Sequence, residues 1–214
     1  MTDLIFSINT GRCGSHYLAT ILRHAVGCEA YHEPHPNMQG VPMIEWNTGN
    51  PDPLREAFKA KRVKIDAALS KGHIYAETNN AFIKGYGDLV AETYPNRNIG
   101  VVVLSRPHAE VVDSLNAVGY YSSYYPPNEW LLRPWHNTAL VEYKEHHRTE
   151  ADWYVDEVRA RGELFREMYP QIKYYGVTLN QLNDYDQVCE MLEFFNLTPM
   201  DSLKGVVGVA TNQR

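Results

Sequence analysis

Five short runs of apolar and β-branched residues occur along the chain, at 5–8, 28–31, 74–76, 99–104 and 172–177. The fourth run contains Val101-Val102-Val103 and is the strongest of the five. A continuous run of this kind is typical of a parallel strand that is covered on both faces. The pattern therefore predicts five buried strands.

Between these runs, apolar residues recur with helical spacing. The first helix is predicted from the residues Tyr17, Leu18, Ile21, Leu22 and Ala25, with Gly27 as its end. Others are predicted near 54–69, where Lys61 interrupts the apolar face, and near 81–94, 111–118, 151–169 and 188–195. In the helix at 151–169, Tyr154, Val158, Phe165 and Met168 are expected on one apolar side. Alternating strands and helices indicate an α/β fold, with a parallel sheet flanked by helices in a single domain, 1–214.

The segment 120–154 departs from this alternation. It contains nine aromatic residues, and Pro126-Pro127 and Pro134 prevent long regular elements. Aromatic side chains with polar tips suit the binding of a partly apolar or sugar-like molecule by stacking. A satellite aromatic core, or the surface of a homodimer, would explain the same composition.

Charge and composition restrict the class of protein. The chain of 214 residues has 20 Lys and Arg against 26 Asp and Glu, a net charge of −6, which argues against a nucleic-acid partner. No run reaches the roughly 18 apolar residues of a membrane span, and no secretory signal is recognised. Three cysteines, Cys13, Cys28 and Cys189, are an odd number without metal-type spacing, which favours a reducing, cytoplasmic location.

The most informative segment is 7–18, where the first strand leads through a glycine-containing turn into a helix. This arrangement directs backbone N–H groups and the positive end of the helix dipole at one point, where an oxyanion can bind. Gly11 and Gly14 allow close approach, Arg12 supplies charge, and Ser15 can cap the helix or donate to the anion. Local pattern alone also fits a purely structural turn.

The common nucleotide motifs do not match this turn. A Walker A loop needs G-x-x-x-x-G-K-[ST], but here the glycines are three positions apart and the lysine is missing. The G-x-G-x-x-G motif is absent too. Transfer of a phosphoryl group from ATP or GTP through a standard P-loop is therefore disfavoured.

The segment 10–18, Thr-Gly-Arg-Cys-Gly-Ser-His-Tyr-Leu, resembles the 5′-phosphosulfate loop of sulfotransferases that use 3′-phosphoadenylyl sulfate (PAPS), in their bacterial and carbohydrate-modifying branch. It departs from that loop in Cys13 and His16, where the family usually has hydroxyl side chains. The resemblance implies a P-loop-like sulfotransferase fold. It also implies that PAPS is bound by the loop residues Gly11, Arg12, Cys13, Gly14, Ser15, His16 and Tyr17.

A second segment resembles the same family. Arg106 ends the strongest strand, Pro107 opens the next helix, and Ser114 follows eight residues after the arginine. In the family, an arginine and a serine at this interval hold the 3′-phosphate of PAPS. Lys204 and Gly205 resemble the tail segment that folds over the nucleotide. Eight helical residues span about 12 Å, so Ser114 shares a phosphate with Arg106 only if that side chain extends along the helix.

The resemblance implies that a sulfuryl group moves from PAPS to a hydroxyl or amine of a small-molecule or carbohydrate acceptor, without a metal. Arg12 would stabilise charge on the bridging oxygen of the leaving nucleotide. A hydroxyl acceptor needs a general base. The first candidate is Glu33 in His32-Glu33-Pro34, which Pro34 is expected to hold in an extended backbone. Glu77, at the end of the third strand, is the second candidate, and the histidines His32, His35 and His73 are fallbacks.

Two other functions stay open. A nucleotide-dependent kinase would share the fold, and a catalytically silent nucleotide-binding protein would keep both anion sites. A metal site is not expected, because His32, Glu33 and His35 lack H-E-x-x-H spacing. The adjacent histidines His146 and His147 are expected to face different ways.

Overall fold

The computed structural model describes residues 2–121 and 130–209. Its strands are β1 (Leu4–Ile8), β2 (Cys28–His32), β3 (Ile74–Thr78), β4 (Ile99–Ser105) and β5 (Lys173–Thr178). Its α-helices are α1 (Ser15–Arg23), α2 (Val41–Thr48), α3 (Asp52–Ser70), α4 (Gly87–Thr93), α5 (His108–Val118), α6 (Glu150–Met168) and α7 (Tyr185–Phe194). A π-helical turn, Phe82–Tyr86, precedes α4, and short 3₁₀ turns occur at Gln181–Asn183 and Asp201–Gly205.

All five strands are parallel and form one sheet in the order β2-β3-β1-β4-β5. In β1 every residue is buried, and β4 is buried over most of its length. The apolar residues of the helices and of these strands form one hydrophobic core. The predicted α/β fold, a parallel sheet flanked by helices, is therefore confirmed.

The strand order creates a crevice at one place on the carboxyl edge of the sheet. From β1 the chain moves out to β2 and returns through β3, whereas from β4 it moves the other way to β5. The connections after β1 and β4 therefore diverge between two neighbouring strands. In open α/β sheets, ligands bind at such a switch point.

Three details of the fold differ from the predictions. Helix α2 was not foreseen, because its apolar and polar residues have no clear amphipathic spacing. Lys61 does not interrupt the buried face of α3, since its side chain lies in the core and forms an ion pair with Glu77 at 2.6 Å. Met168 ends α6 with its side chain exposed, not on the apolar side with Phe165.

Within the described residues, no helix is both long enough and apolar enough to cross a membrane.

Candidate functional site

The turn after β1 is held open by its own side chains and by two glycines. Asn9 Oδ1 accepts a hydrogen bond from the Gly11 backbone N–H at 2.9 Å. Gly11 has φ +74°, and a Cβ there would lie 2.9 Å from the Trp130 ring. Gly14 has φ +90°, and a Cβ there would lie 2.5 Å from Leu179. Glycine is therefore favoured at both positions by backbone conformation, and at Gly11 also by the rigid Trp130 ring.

Helix α1 begins directly after this turn with an uncapped N-terminus. Gly14 occupies the N-cap position, and no side chain caps the helix. Of the two roles considered for Ser15, capping is excluded, because Ser15 is the first helical residue. The free N–H groups of the first turn and the helix dipole favour an anion at this point. Ser15 also lines the cavity in front of the turn, where its hydroxyl can donate to such an anion.

The structure brings Arg12, Arg106 and Ser114 together at the switch point. Arg12 Nε donates to Ser114 Oγ at 3.1 Å, and Arg106 Nη1 donates to the Arg12 carbonyl at 3.3 Å. Arg106 Nε also pairs with Glu110 at 2.7 Å, one helical turn along α5. The distance between Arg106 and Ser114 along α5 is thus bridged by Arg12 from the turn after β1. Two cations and a hydroxyl form a group suited to a phosphate.

Glu33 follows β2 at the same edge of the sheet. Its backbone N–H donates to the Thr78 carbonyl at 3.2 Å, and its Oε1 accepts from Asn80 Nδ2 at 2.6 Å. The expected extended backbone is wrong, because Glu33 has φ +44° in the left-handed region. The bond to the end of β3 holds this strained conformation, although the residue precedes Pro34. The carboxylate is thereby fixed by backbone and by side chain.

Backbone strain coincides with the predicted chemistry. Among the described residues, four that are not glycine have positive φ, and two of these are Arg12 (+58°) and Glu33 (+44°). Such conformations cost roughly 1–3 kcal/mol each and tend to cluster at functional sites. This observation therefore supports a functional role for Arg12 and Glu33.

Six of the predicted site residues, four from the turn and the start of α1 together with His16 and Glu33, line one cavity of about 270 Å³. The turn after β1, the segment after β2, the segment after β3 and the aromatic region each contribute to it. Its lining residues are Gly11, Arg12, Gly14, Ser15, His16, His32, Glu33, Asn80, Tyr120 and Trp130. Arg106 and Ser114 lie next to it through Arg12.

Two histidines form part of the cavity wall near Glu33. The rings of His16 and His32 meet edge-on, with centroids 5.3 Å apart. His32 Nδ1 is 3.1 Å from the Thr78 carbonyl, and burial lowers the pKa of His32. His35 and His73 are not part of the wall, and His73 Nδ1 contacts Glu29 at 2.6 Å instead.

Glu77 lies away from the cavity, in the core. It is fully buried, and its Oε1 accepts from Lys61 at 2.6 Å and from Tyr86 at 2.8 Å. Tyr75 and Asn79 donate to the same carboxylate at 2.6 and 2.8 Å. Four donors and no contact with the cavity make Glu77 a structural ion-pair partner, and this placement favours Glu33 as the base.

Other predicted cofactor residues point elsewhere. The Cys13 thiol is buried beneath the turn, 2.8 Å from Thr10 Oγ1, and burial raises its pKa. Cys13 is not among the residues that line the cavity. Tyr17 donates to the Leu182 carbonyl at 3.0 Å and accepts from the Gly208 N–H at 2.9 Å. Tyr17 thus anchors the C-terminal segment. In that segment, Lys204 is exposed near the Tyr185 ring, outside the cavity, and Gly205 ends the 3₁₀ turn.

His146 and His147 do not face different ways, contrary to expectation. Their ring centroids lie 4.0 Å apart, and with Asp156 they bring three ligand-type atoms within 4.8 Å of one another. However, His147 Nδ1 accepts a hydrogen bond from the Lys144 N–H at 3.0 Å, so the neutral ring carries its proton on Nε2. Nε2 faces Asp156 at 3.6 Å and has no lone pair for a metal. This geometry fits a histidine–carboxylate pair.

Sequence reasoning missed two residues near Glu33, namely Asn80 and Lys84, whereas Trp130 belongs to the aromatic segment that the sequence singled out. Asn80 lies just after β3, and its place at the carboxyl edge of a predicted strand was the available signal. Lys84 gave no such signal, because its position depends on tertiary packing. Residues 122–129 of the aromatic segment lie outside the described residues.

Comparison with protein-family models gave no match for this chain, and a search of curated protein sequences gave none either.

Proposed function

We propose that this chain is a PAPS-dependent sulfotransferase that acts on a hydroxyl or amine of a small-molecule or sugar-like acceptor. The observation that carries the proposal is the group formed by Arg12, Arg106 and Ser114 beside an uncapped helix N-terminus. These features offer two neighbouring places for anions. A nucleotide with phosphates on both its 5′ and 3′ positions matches that arrangement, whereas a 5′-triphosphate does not require the second place.

Each residue has a distinct task in this proposal. The N–H groups of the turn and of α1 would bind the 5′-phosphosulfate, and Arg106 with Ser114 would bind the 3′-phosphate. The Arg12 guanidinium reaches Ser114 from the turn, so its charge serves both places. Because arginine stays protonated, its contribution to transfer is electrostatic.

PAPS, when bound, supplies an activated sulfuryl group. Glu33 would accept the proton of the acceptor hydroxyl as its oxygen attacks the sulfur, while the bond to the bridging phosphate oxygen breaks. The acceptor keeps the sulfuryl group, and adenosine 3′,5′-bisphosphate (PAP) leaves. Trp130 and Tyr120, on the cavity wall, offer aromatic surface to the acceptor.

The proposal is tested by incubating PAPS with a panel of phenols, sugars and amines and measuring PAP release. We expect acceptor-dependent release by the wild type, and a loss of about 10²–10⁴ in kcat for Glu33→Gln with PAP affinity intact. If the protein binds PAP but forms no PAP from PAPS with any acceptor, it would be a silent nucleotide-binding protein. If ATP replaces PAPS in the same panel, consumption of ATP would indicate a phosphotransferase.

A further inference from the structure

Lys84 is buried directly behind the cavity, in the π-helical turn. Its side chain is fully buried, and its Nζ contacts Asn80 Oδ1 at 2.6 Å, Tyr154 Oη at 3.0 Å and the Trp130 carbonyl. Lys84 is not among the residues that line the cavity. It therefore acts on the site only through its neighbours.

The hydrogen bonds around Lys84 fix its protonation state. Tyr154 donates its own proton to the Thr10 carbonyl at 2.7 Å, so it can only accept from Lys84. The Trp130 carbonyl and Asn80 Oδ1 are acceptors as well. Three acceptors need three N–H donors, and only the ammonium form of lysine has three. Although burial lowers the pKa of Lys84, the intact network contains the cation.

This cation sets the orientation of the Asn80 amide. Because Lys84 occupies Oδ1, the Nδ2 group must face Glu33, to which it donates at 2.6 Å. We propose that Lys84 is a positioning residue that, through Asn80, holds the Glu33 carboxylate in place to accept the proton of the acceptor. The second arm, through Tyr154 and Thr10, ties the same lysine to the turn after β1. One buried cation thus links the base to the anion-binding turn.

The inference rests on the proposed role of Glu33, and its main test does not require activity. The test follows the carboxyl carbon signal of Glu33 by NMR as a function of pH in the free protein, in the wild type and in Lys84→Met. Loss of the cation and of the fixed amide removes support for the carboxylate. We expect the Glu33 titration to move to higher pH in the variant. In turnover assays, kcat at neutral pH should fall by about 10²-fold and recover partly as the pH rises.

Tyr154→Phe is the matched control, because it removes one hydrogen bond of Lys84 but leaves in place the bond to Asn80 Oδ1 that orients the amide. The Glu33 titration should stay where it is in the wild type. Asn80→Ala is a second variant, for use if Lys84→Met does not fold. It removes the amide that donates to Glu33 and should also move the titration to higher pH. Other titratable groups around this pair are His16, His32, Arg12, Tyr86 and Arg161.

An unchanged Glu33 titration in Lys84→Met, or in Asn80→Ala if Lys84→Met does not fold, would overturn the inference, whatever the enzyme does. A shift in Tyr154→Phe equal to that in Lys84→Met would overturn it too, because the effect would then be one of general packing. A shifted titration in a protein that does not turn over PAPS would uphold the inference about Glu33 and contradict the proposed function.

Discussion

At the scale of single residues, two glutamates that look equivalent in the sequence have opposite surroundings. Glu33 has one side-chain donor, Asn80, and lies on the cavity wall. Glu77 has four donors and lies in the core against Lys61. Both follow or end a strand at the same edge of the sheet, so sequence position alone could not separate them. The two glutamates are separated by their burial and by the number of hydrogen bonds that each accepts.

Glu77→Gln is therefore expected to affect stability. Removing one partner of a buried ion pair leaves an unpaired charge, here on Lys61, and typically costs about 3–5 kcal/mol. We expect a loss of this size in the free energy of unfolding measured with urea, whereas Glu33→Gln stays close to the wild type. A Glu77→Gln protein with unchanged stability and no turnover would instead make Glu77 the base.

At the scale of elements, the turn between β1 and α1 depends on Gly11. Gly11→Ala introduces a side chain at φ +74° and pushes its Cβ against the Trp130 ring. Gly72→Ala is the matched control, because Gly72 has the same φ of +74° with no atom within 4 Å of an added Cβ. Both variants should lose about 1–2 kcal/mol of stability from backbone strain. Only Gly11→Ala should weaken PAP binding in calorimetry, and equal affinities for the two variants would contradict this role of the turn.

The order of elements was predictable from the sequence, but several contacts were not. Five strand patterns and the turn at 9–14 are local signals, so the parallel sheet and the glycine-containing turn at its edge could be located. The burial of Lys61 could not be predicted, because its partner Glu77 is on another element. The backbone of Glu33 was predicted as extended from Pro34, yet a tertiary bond to Thr78 holds it at φ +44°. Local preference was overruled there by long-range contacts.

At the scale of the whole molecule, the stability of the fold is expected to depend on pH through a carboxylate on the edge strand β2. Glu29 on β2 contacts His73 at 2.6 Å and Lys71 at 3.2 Å, just before β3. Hydrogen bonds from His73 first, then Tyr31, lower the pKa of Glu29 to about 2. The lowered pKa means that folding gains stability above the ordinary value of 4.5, and that this gain disappears as the pH falls towards 2. The free energy of unfolding of the wild type and of Glu29→Gln can be measured with urea between pH 6 and pH 2. We expect the difference between the two proteins to shrink as the pH falls. A difference that stays constant would contradict this role of Glu29.

A separate binding position for the 3′-phosphate would distinguish a PAPS site from a site for an ordinary nucleotide. The most direct measurement is calorimetric titration of the wild type and Arg106→Ala with PAP and with adenosine 5′-phosphate, which lacks only the 3′-phosphate. A charged hydrogen bond contributes roughly 1.5–3 kcal/mol, which corresponds to about 10- to 150-fold in affinity. We expect the wild type to prefer PAP by at least this factor, and Arg106→Ala to lose most of the preference while binding adenosine 5′-phosphate as before. Equal affinity of the wild type for the two nucleotides would contradict the assignment of Arg106 and Ser114, and with it the proposal that this protein uses PAPS.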